Sequence, residues 1–234
     1  NDVMPILTRH ACNSGGCHGK STGQNGFRLS LLGFEADLDY RALVLQGRGR
    51  RLFASAADDS LLLAKASGRI PHGGGTRIDP GSEDYRVIRD WIRSGAPDSP
   101  PDERQLKRIT VTPAASVMNT TSEVVLKVIA HYSDGRKQNV TARSLFESNA
   151  PEVGDVDVRA RVTTATRGGL FAVMVRFSGQ IAVFQGTVPF SNDANLSLDD
   201  AFAAARVNLG GIDRSLVDQW KRLNVAPSPS AADA

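Results

Sequence analysis

The sequence predicts a multidomain protein in which an all-α domain precedes an all-β sandwich and a short helical C-terminal segment. Up to residue 94, apolar residues recur at helical spacing, whereas from residue 107 they alternate along short runs, as in strands. Prolines and acidic residues separate the two patterns. We therefore expect domains at 1–98 and 107–190, a linker at 99–106, and a helical segment at 191–234 that opens a truncated further domain.

Composition narrows the possible partners of this chain. Its 234 residues carry a net charge of +3, and the basic residues are interspersed with acidic ones. A basic surface for nucleic acid is therefore not expected. No apolar run reaches the length of a membrane span, so we expect no transmembrane segment. The chain begins without an initiator methionine, which suggests a mature or excised piece.

Four helices are predicted in the first hundred residues. They cover residues 3–11, about 37–46, 61–65 and 82–94, and the last is the best defined. Ser82 is its N-cap, acidic residues fill its first turn, and Gly95 ends it. A basic cluster at 47–51 interrupts the second helix, and we expect it to be a solvated loop rather than a contact to a bound anionic group.

The second half reads as strands joined by tight turns. Six or seven short strands with turn signals at 133–136 and 178–179 predict a small antiparallel sandwich. His131 is expected on its surface with no catalytic role. The runs with alternating apolar residues are 109–111, 124–132, 162–164, 170–177 and 181–190.

Both cysteines of the chain lie in one short segment. Cys12 and Cys17 are separated by four residues, and His18 follows directly. Covalent haem attachment uses two thiolates for thioethers and the next histidine as the proximal iron ligand. The usual spacing has two residues between the cysteines, so this is a longer variant. Two alternatives remain open: a disulfide, and a zinc site completed by His72 or His10.

The first hundred residues resemble the cytochrome c-like domain of large planctomycete proteins. The resemblance rests on separate motifs in matching order, namely residues 3–7, 12–19, 26–31, 71–75 and 82–85 with Trp91 and Ile92. It implies a class I cytochrome c fold with one covalently attached haem c. It also implies export to the periplasm or cell envelope.

The same resemblance suggests roles for further residues. The segment 26–29 is similar to the one whose backbone carbonyl orients the proximal imidazole in class I cytochromes c, which assigns that carbonyl to Phe27. His72 lies in the loop before the last helix, where the sixth iron ligand is expected, and His10 is the rival for this position. Trp91 is expected beside the haem. The iron would then be bound by His18 and His72.

Residues 107–190 are similar to bacterial immunoglobulin-like group 2 domains, through the phrases at 111–113, 130–135 and 139–141. Such a domain carries no evident catalytic set, so we expect a spacer or a recognition element, with a surface polymer as a possible ligand. The acidic residues Asp134, Asp155 and Asp157 are expected to be solvated rather than to bind calcium.

The main functional expectation is an electron-transfer module rather than an enzyme. Its partner would be a redox protein or a downstream domain of the same polypeptide. Two alternatives are a haem enzyme or gas sensor with an open distal site, and a cell-surface interaction protein that acts through the Ig-like domain while the haem is structural.

Overall fold

A computed structural model describes residues 2–100, 104–191 and 210–226 of the chain. The chain divides into two compact units. The first unit comprises residues 1–109, 130–145 and 176–181, and the second comprises 110–129, 146–175 and 182–234. Parts of the predicted linker, at 101–103, and of the predicted helical segment, at 192–209 and 227–234, lie outside the described residues.

The helices of the first unit are short. They are α1 (Val3–Arg9), α2 (Ala36–Tyr40), α3 (Leu61–Ala66) and α4 (Glu83–Arg93). A π-helical turn, Arg41–Leu45, continues α2, and 3-10 turns lie at Leu31–Gly33, Gln46–Gly49 and Ala54–Asp59. The longest, α4, has its predicted cap, because the Ser82 hydroxyl accepts the Tyr85 backbone N–H at 3.2 Å.

These helices enclose one apolar cluster. Helix α4 contributes to it one face, at the spacing predicted from the sequence. Helix α1 is buried on more than one face, from Val3 to Thr8. Asp39 is fully buried beside this cluster, and its carboxylate accepts the backbone N–H of Ser30 at 2.5 Å and the Ser30 hydroxyl at 2.6 Å. The least exposed apolar members of the cluster are Leu7, Leu29, Ala42, Leu43, Leu63, Ile78, Ile88 and Ile92.

The described residues also contain ten strands. Three sheets form, with strand orders β1-β4-β5, β2-β10-β9-β6 and β3-β8-β7. The strands are β1 (Leu106–Thr112), β2 (Ala115–Val117), β3 (Glu123–Val125), β4 (Lys127–Tyr132), β5 (Lys137–Asn139), β6 (Leu145–Ser148), β7 (Gly154–Val156), β8 (Arg161–Thr164), β9 (Gly169–Phe177) and β10 (Gln180–Val188).

The β9–β10 hairpin has the two-residue turn that its sequence predicts. Ser178 and Gly179 both have positive φ, at 48° and 75°, as a type I′ turn requires. This turn sets Phe177 opposite Gln180, and the register continues to Met174 opposite Val183 and Phe171 opposite Gly186. The hairpin therefore has an inner face with Phe171, and an outer face with Met174 and Val183.

The Phe171 ring fills the space above two glycines in the second unit. A Cβ built on Gly186 would lie 2.1 Å from the ring, and one built on Gly154 would lie 2.5 Å from it. The ring also packs edge-on against Phe184, with centroids 6.0 Å apart. The two glycines are thus required by the aromatic ring that lies against their backbone.

A final helix, α5 (Gly211–Leu223), follows the sheets. Its C-terminal end is held to the second unit, because the Phe190 backbone N–H donates to the Leu223 carbonyl at 2.9 Å. Leu216 and Trp220 on this helix remain exposed. None of the described helices is long and apolar enough to cross a membrane.

The predicted fold class is wrong. The five described α-helices span 5 to 13 residues, and no all-α class I cytochrome c-like domain is evident among the described residues. Glycine-rich turns and 3-10 or π segments take up much of the chain between these short helices. The strands also form three sheets rather than a two-sheet sandwich of six or seven strands.

Candidate functional site

The loop that carries both cysteines is fixed by its own backbone. It starts at the end of α1, and the His18 backbone N–H donates to the Cys12 carbonyl at 3.0 Å. Gly19 packs directly on this loop, since a Cβ at that position would lie 1.9 Å from the Asn13 carbonyl oxygen. Asn13 is fully buried and its side-chain amide donates to Thr8 at 2.9 Å. The loop therefore holds Cys12, Cys17 and His18 in a defined arrangement.

Two histidines from distant segments face each other at this loop. The imidazole rings of His18 and His72 are parallel within 5°, and their centroids are 6.1 Å apart. The His18 ring also contacts Phe27, with ring centroids 4.5 Å apart. The structure thus brings together the two residues that were predicted from the sequence to bind the metal.

Both imidazoles use the same nitrogen for a backbone hydrogen bond. Nδ1 of His18 lies 3.0 Å from the Phe27 carbonyl oxygen, and Nδ1 of His72 lies 3.2 Å from the Gly75 carbonyl oxygen. Because a carbonyl only accepts, each Nδ1 must be the protonated donor, and each Nε2 of the neutral ring keeps its lone pair. The pair therefore presents two nitrogen ligands of fixed tautomer.

The surroundings of the pair are electropositive. Burial lowers the pKa of His18 most, the Phe27 carbonyl opposes this, and the charges of His72, Arg51 and Lys65 lower that pKa further. Lys65 donates to the Pro71 carbonyl at 3.2 Å, next to His72. His18 is consequently held in the neutral form that can act as a ligand.

Arg51 is a buried side chain that joins several loops, which was not predicted from the sequence. The predicted solvated loop at 47–51 is wrong for this residue, because Arg51 is only 7% exposed. Its guanidinium donates to the carbonyls of Ala42, Gln46 and Gly26 at 2.8–2.9 Å and lies 4.6 Å from the centroid of the Phe27 ring. The guanidinium has five N–H donors in a rigid plane, which suits binding to several carbonyls at once. A run of arginines and glycines in the sequence does not indicate which arginine will be buried in this way.

The two cysteines are free thiols in partly buried positions. Burial raises the pKa of Cys12 to about 11, and nearby Arg77 opposes that rise. The Arg77 guanidinium also lies 4.0 Å from the Cys17 sulfur. A pKa of about 11 keeps the Cys12 thiol protonated at neutral pH.

Other candidate residues lie elsewhere. His10 is 2.8 Å from the Asp84 carboxylate and is engaged by it. Trp91 lies on α4, where its indole N–H donates to the Pro97 carbonyl at 3.0 Å. Asp157 accepts the backbone N–H groups of Arg159 and Arg161, as in a turn. Across the described ranges, no group of three or more His, Cys, Asp or Glu side chains could hold a bare metal ion, which leaves the zinc alternative without support.

Comparison with known proteins gives few relatives. No family model matches this sequence, and no curated protein matches it. Three solved structures of surface-layer proteins are similar to part of it: domains 4 and 5 of the S-layer protein SbsC, the S-layer protein rSbsC(31-844), and SbsC domains 1–6. Their sequence identities are 13%, 15% and 12%, and the TM-scores are 0.31, 0.30 and 0.32.

The matched regions are partial on both sides. They cover 37%, 38% and 40% of this chain, and the chain spans 53%, 14% and 14% of the three structures. All three are S-layer or surface layer proteins, and none is a cytochrome.

The expected electron-transfer cytochrome is wrong, because no all-α cytochrome c-like domain is evident among the described residues. Neither the planctomycete cytochrome c-like resemblance nor the Ig-like one is matched by a family model. The described residues are mostly β, their helices are short, and they contain no cluster of metal-binding side chains of the kind noted above. The absence of such a cluster does not test the cofactor itself, because a porphyrin supplies four of the iron ligands and the protein only the axial ones.

Proposed function

We propose that this chain is an exported, cell-surface interaction protein whose second unit docks against another protein. The observation that supports this function is an exposed apolar face on the four-stranded sheet. Val117 is 60% exposed, Leu170 40% and Val183 43%. Exposed apolar surface of this kind marks interaction sites in soluble proteins.

The exposed residues share one side of the sheet. In the parallel β2–β10 pair, Val117 lies opposite Thr187. The hairpin register places Leu170 opposite Thr187 on the other neighbour, and Val183 lies on the same side of β10 as Thr187. We call the side defined by Val117, Leu170 and Val183 the outer sheet face. It spans β2, β10 and β9, and the buried Thr187 lies between Val117 and Leu170.

The occupant that we favour for the outer sheet face is a second copy of the chain. The three residues that define the face are uncharged, and Arg176 lies on the same side of β9 near the hairpin turn. Two copies can therefore meet at the three apolar residues without like charges between those residues. Two sheets with apolar faces pack about 10 Å apart in aligned or orthogonal arrangements. A cell-surface protein that self-associates in this way forms an assembly without a dedicated partner.

Sedimentation of the full chain tests this function. We expect concentration-dependent association that Val183→Lys abolishes, because a buried lysine at the centre of the face loses its hydration. Val158→Lys is the matched control, since Val158 is 76% exposed and lies outside the outer sheet face. A chain that stays monomeric at all concentrations, and is not captured by envelope proteins of its own host either, contradicts the proposal.

A second proposal concerns the paired imidazoles. We propose that Cys12, Cys17, His18 and His72 hold one haem c, with Phe27 fixing the His18 tautomer. The parallel rings with both Nε2 atoms available support it, and so does the electropositive surrounding, since haem carries two carboxylates. When bound, haem supplies an iron that accepts two axial nitrogens. We assign it a structural role in the first unit.

Intact mass after export in a host with c-type haem maturation tests this cofactor. We expect the mass of one haem on the polypeptide, and its loss when Cys12 and Cys17 are both replaced by serine. His72→Ala should keep the added mass and change the absorption spectrum of the iron, whereas the matched control His131→Ala should change neither. A preparation without added mass contradicts the cofactor and leaves the interaction surface untouched.

A further inference from the structure

We propose that a cleft in the first unit binds a neutral oligosaccharide, independently of the two proposals above. The cleft has a volume of about 810 Å³, within the range of small-ligand sites. Its lining includes Phe177 and three aromatic side chains with a polar end, Tyr40, Trp91 and Tyr132. Asp37, Gln105 and Gln138 supply polar side chains. The cytochrome c-like resemblance assigned Trp91 to the haem, and it gave no role to the other aromatic and polar residues named here.

The aromatic side chains of the cleft have their polar ends already bonded within the chain. The Tyr40 hydroxyl donates to the Ala96 carbonyl at 3.1 Å, and the Trp91 indole N–H donates to the Pro97 carbonyl at 3.0 Å. The Tyr132 hydroxyl bonds Gln138, and Arg104 lies over one face of its ring at 4.9 Å. What these rings present to a ligand is therefore carbon surface held in a fixed orientation.

The polar groups of the cleft are suited to hydroxyls. Asp37 is an exposed carboxylate in the first turn of α2, and it can accept two hydrogen bonds from neighbouring hydroxyls. Gln138 accepts from Tyr132 through its carbonyl oxygen, so its amide nitrogen is a donor. Gln105 adds a second amide. Acceptors and donors thus lie around the rings at a few fixed positions.

The charges of the cleft nearly cancel. Asp2 and Arg143 form an ion pair at 2.6 Å, so they contribute no net charge. The remaining charged lining residues are Asp37, Asp98 and Arg104. A polyanion such as a nucleic acid or a sulfated glycan would need an excess of cations, which the lining does not have.

A sugar ring fits both features of the cleft. Its C–H face is apolar and packs on an aromatic ring, while its hydroxyls exchange hydrogen bonds with carboxylates and amides around the edge. A purely apolar ligand would leave the Asp37 carboxylate desolvated without a partner. The lining therefore favours an uncharged polyhydroxy ligand, and the site points to a segment of surface polysaccharide as the natural source.

The full chain on an array of neutral and anionic oligosaccharides tests the site. We expect binding to at least one neutral oligosaccharide, weakened about tenfold by Asp37→Asn through loss of a charge-assisted hydrogen bond. Asp218→Asn, which removes the same charge from α5, is the matched control and should bind as the parent does. Circular dichroism of both variants checks that they fold.

Tryptophan fluorescence locates the bound sugar. The chain has two tryptophans, so Trp220→Phe leaves Trp91 as the single fluorophore. The oligosaccharide found on the array should protect Trp91 from iodide quenching. The concentration that gives half of this protection should be lower for the parent chain than for Asp37→Asn. The proposal is overturned if the chain binds no neutral sugar or binds anionic sugars alone. It is also overturned if the bound sugar neither binds more weakly to Asp37→Asn nor protects Trp91 from quenching.

Discussion

Asp39 is a carboxylate placed where water does not reach. Burial raises its pKa, and the two hydrogen bonds from Ser30 oppose that rise. Through these two bonds the carboxylate links the segment after Leu29 to α2. Removing a buried acceptor that has two short hydrogen bonds is expected to lower the free energy of unfolding substantially.

We predict that Asp39→Ala lowers the free energy of unfolding by about 2–3 kcal/mol, because it leaves the Ser30 N–H buried and unpaired. Asp39→Asn keeps one acceptor oxygen and should cost about 1 kcal/mol or less. Urea denaturation at pH 7 measures both variants. Equal costs for alanine and asparagine would mean that side-chain volume, and not the hydrogen bonds, is what matters.

The raised pKa of Asp39 predicts how the free energy of unfolding depends on pH. Since folding raises the pKa of this carboxyl, the folded chain binds the proton more tightly than the unfolded chain. The contribution of Asp39 is therefore greatest at acidic pH and decreases as pH rises through its folded pKa. Asp39→Asn should remove this decrease when urea midpoints are compared between pH 3 and 7.

We predict that Cys12 reacts slowly with iodoacetamide in the folded chain prepared without haem attachment. With a pKa of about 11, only about a thousandth of this thiol is ionised at pH 8, and the thiolate is the nucleophile. Its alkylation rate, read by peptide mass spectrometry, should rise about tenfold per pH unit up to pH 10. The chain in urea is the control, and equal rates in both would contradict a raised pKa.

At the residue level, much of the paired-imidazole site could be read from the sequence. Cys12, Cys17 and His18 stand in one motif, and the position of His72 before α4 indicated a partner. Arg51 could not be predicted, because its burial depends on three carbonyls from segments that only the fold brings together. The cleft was missed for the same reason, since its aromatic residues are far apart in the chain.

At the level of elements, the periodicity of apolar residues predicted the longest helix and strands of the first two sequence regions, but it missed several short strands. α4 and the β9–β10 hairpin have the predicted positions, because each spans enough residues to show its period. The single predicted run at 124–132 is instead β3 and β4. The break falls at Leu126, which is buried and donates its N–H to the Ala160 carbonyl.

Four strands were not predicted from the sequence at all. Three or four residues cannot establish an alternating pattern, and such strands exist only because a distant partner pairs with them. β2 is an example, since Ala115 lies opposite Gln185 and Val117 opposite Thr187 in β10. The missed strands are β2, β5, β6 and β7.

We predict that Gly186→Ala lowers the free energy of unfolding by about 2–3 kcal/mol, because its methyl group would overlap the Phe171 ring. In the Phe171→Leu background the same change should cost clearly less. Thermal unfolding of the four chains gives the coupling between the two positions. Additive effects would show that Phe171 does not restrict position 186. Gly73→Ala, at an exposed position without positive φ where a Cβ meets no atom within 4 Å, controls for the loss of glycine itself.

At the level of the whole molecule, the first unit is not continuous in sequence. It includes residues 130–145 and 176–181 besides the first 109. Arg143 pairs with Asp2 at 2.6 Å, and Arg9 donates to the Ala142 carbonyl, so the later segment contacts α1 directly. The predicted domain ranges 1–98 and 107–190 stay a prediction that fragments can test.

We predict that a fragment of residues 1–106 unfolds at a lower urea concentration than the same residues in the full chain, since it loses the contacts of residues 130–145. Hydrogen exchange of the α1 amides, followed by mass spectrometry, measures both proteins. The matched control is α4, whose amides should differ less because Ile88 and Ile92 pack in the cluster of the first hundred residues. Identical protection of α1 in fragment and full chain would support independent folding of the predicted domain.

The packing of the Phe171 ring against Gly154 and Gly186 restricts which substitutions this protein can accept during evolution. One aromatic side chain fills room that two β-carbons would otherwise occupy, so positions 154, 171 and 186 are inherited as a set. A lineage that exchanges the phenylalanine for a smaller residue gains freedom at both glycines at once. A lineage that changes either glycine first must pass through a less stable ancestor.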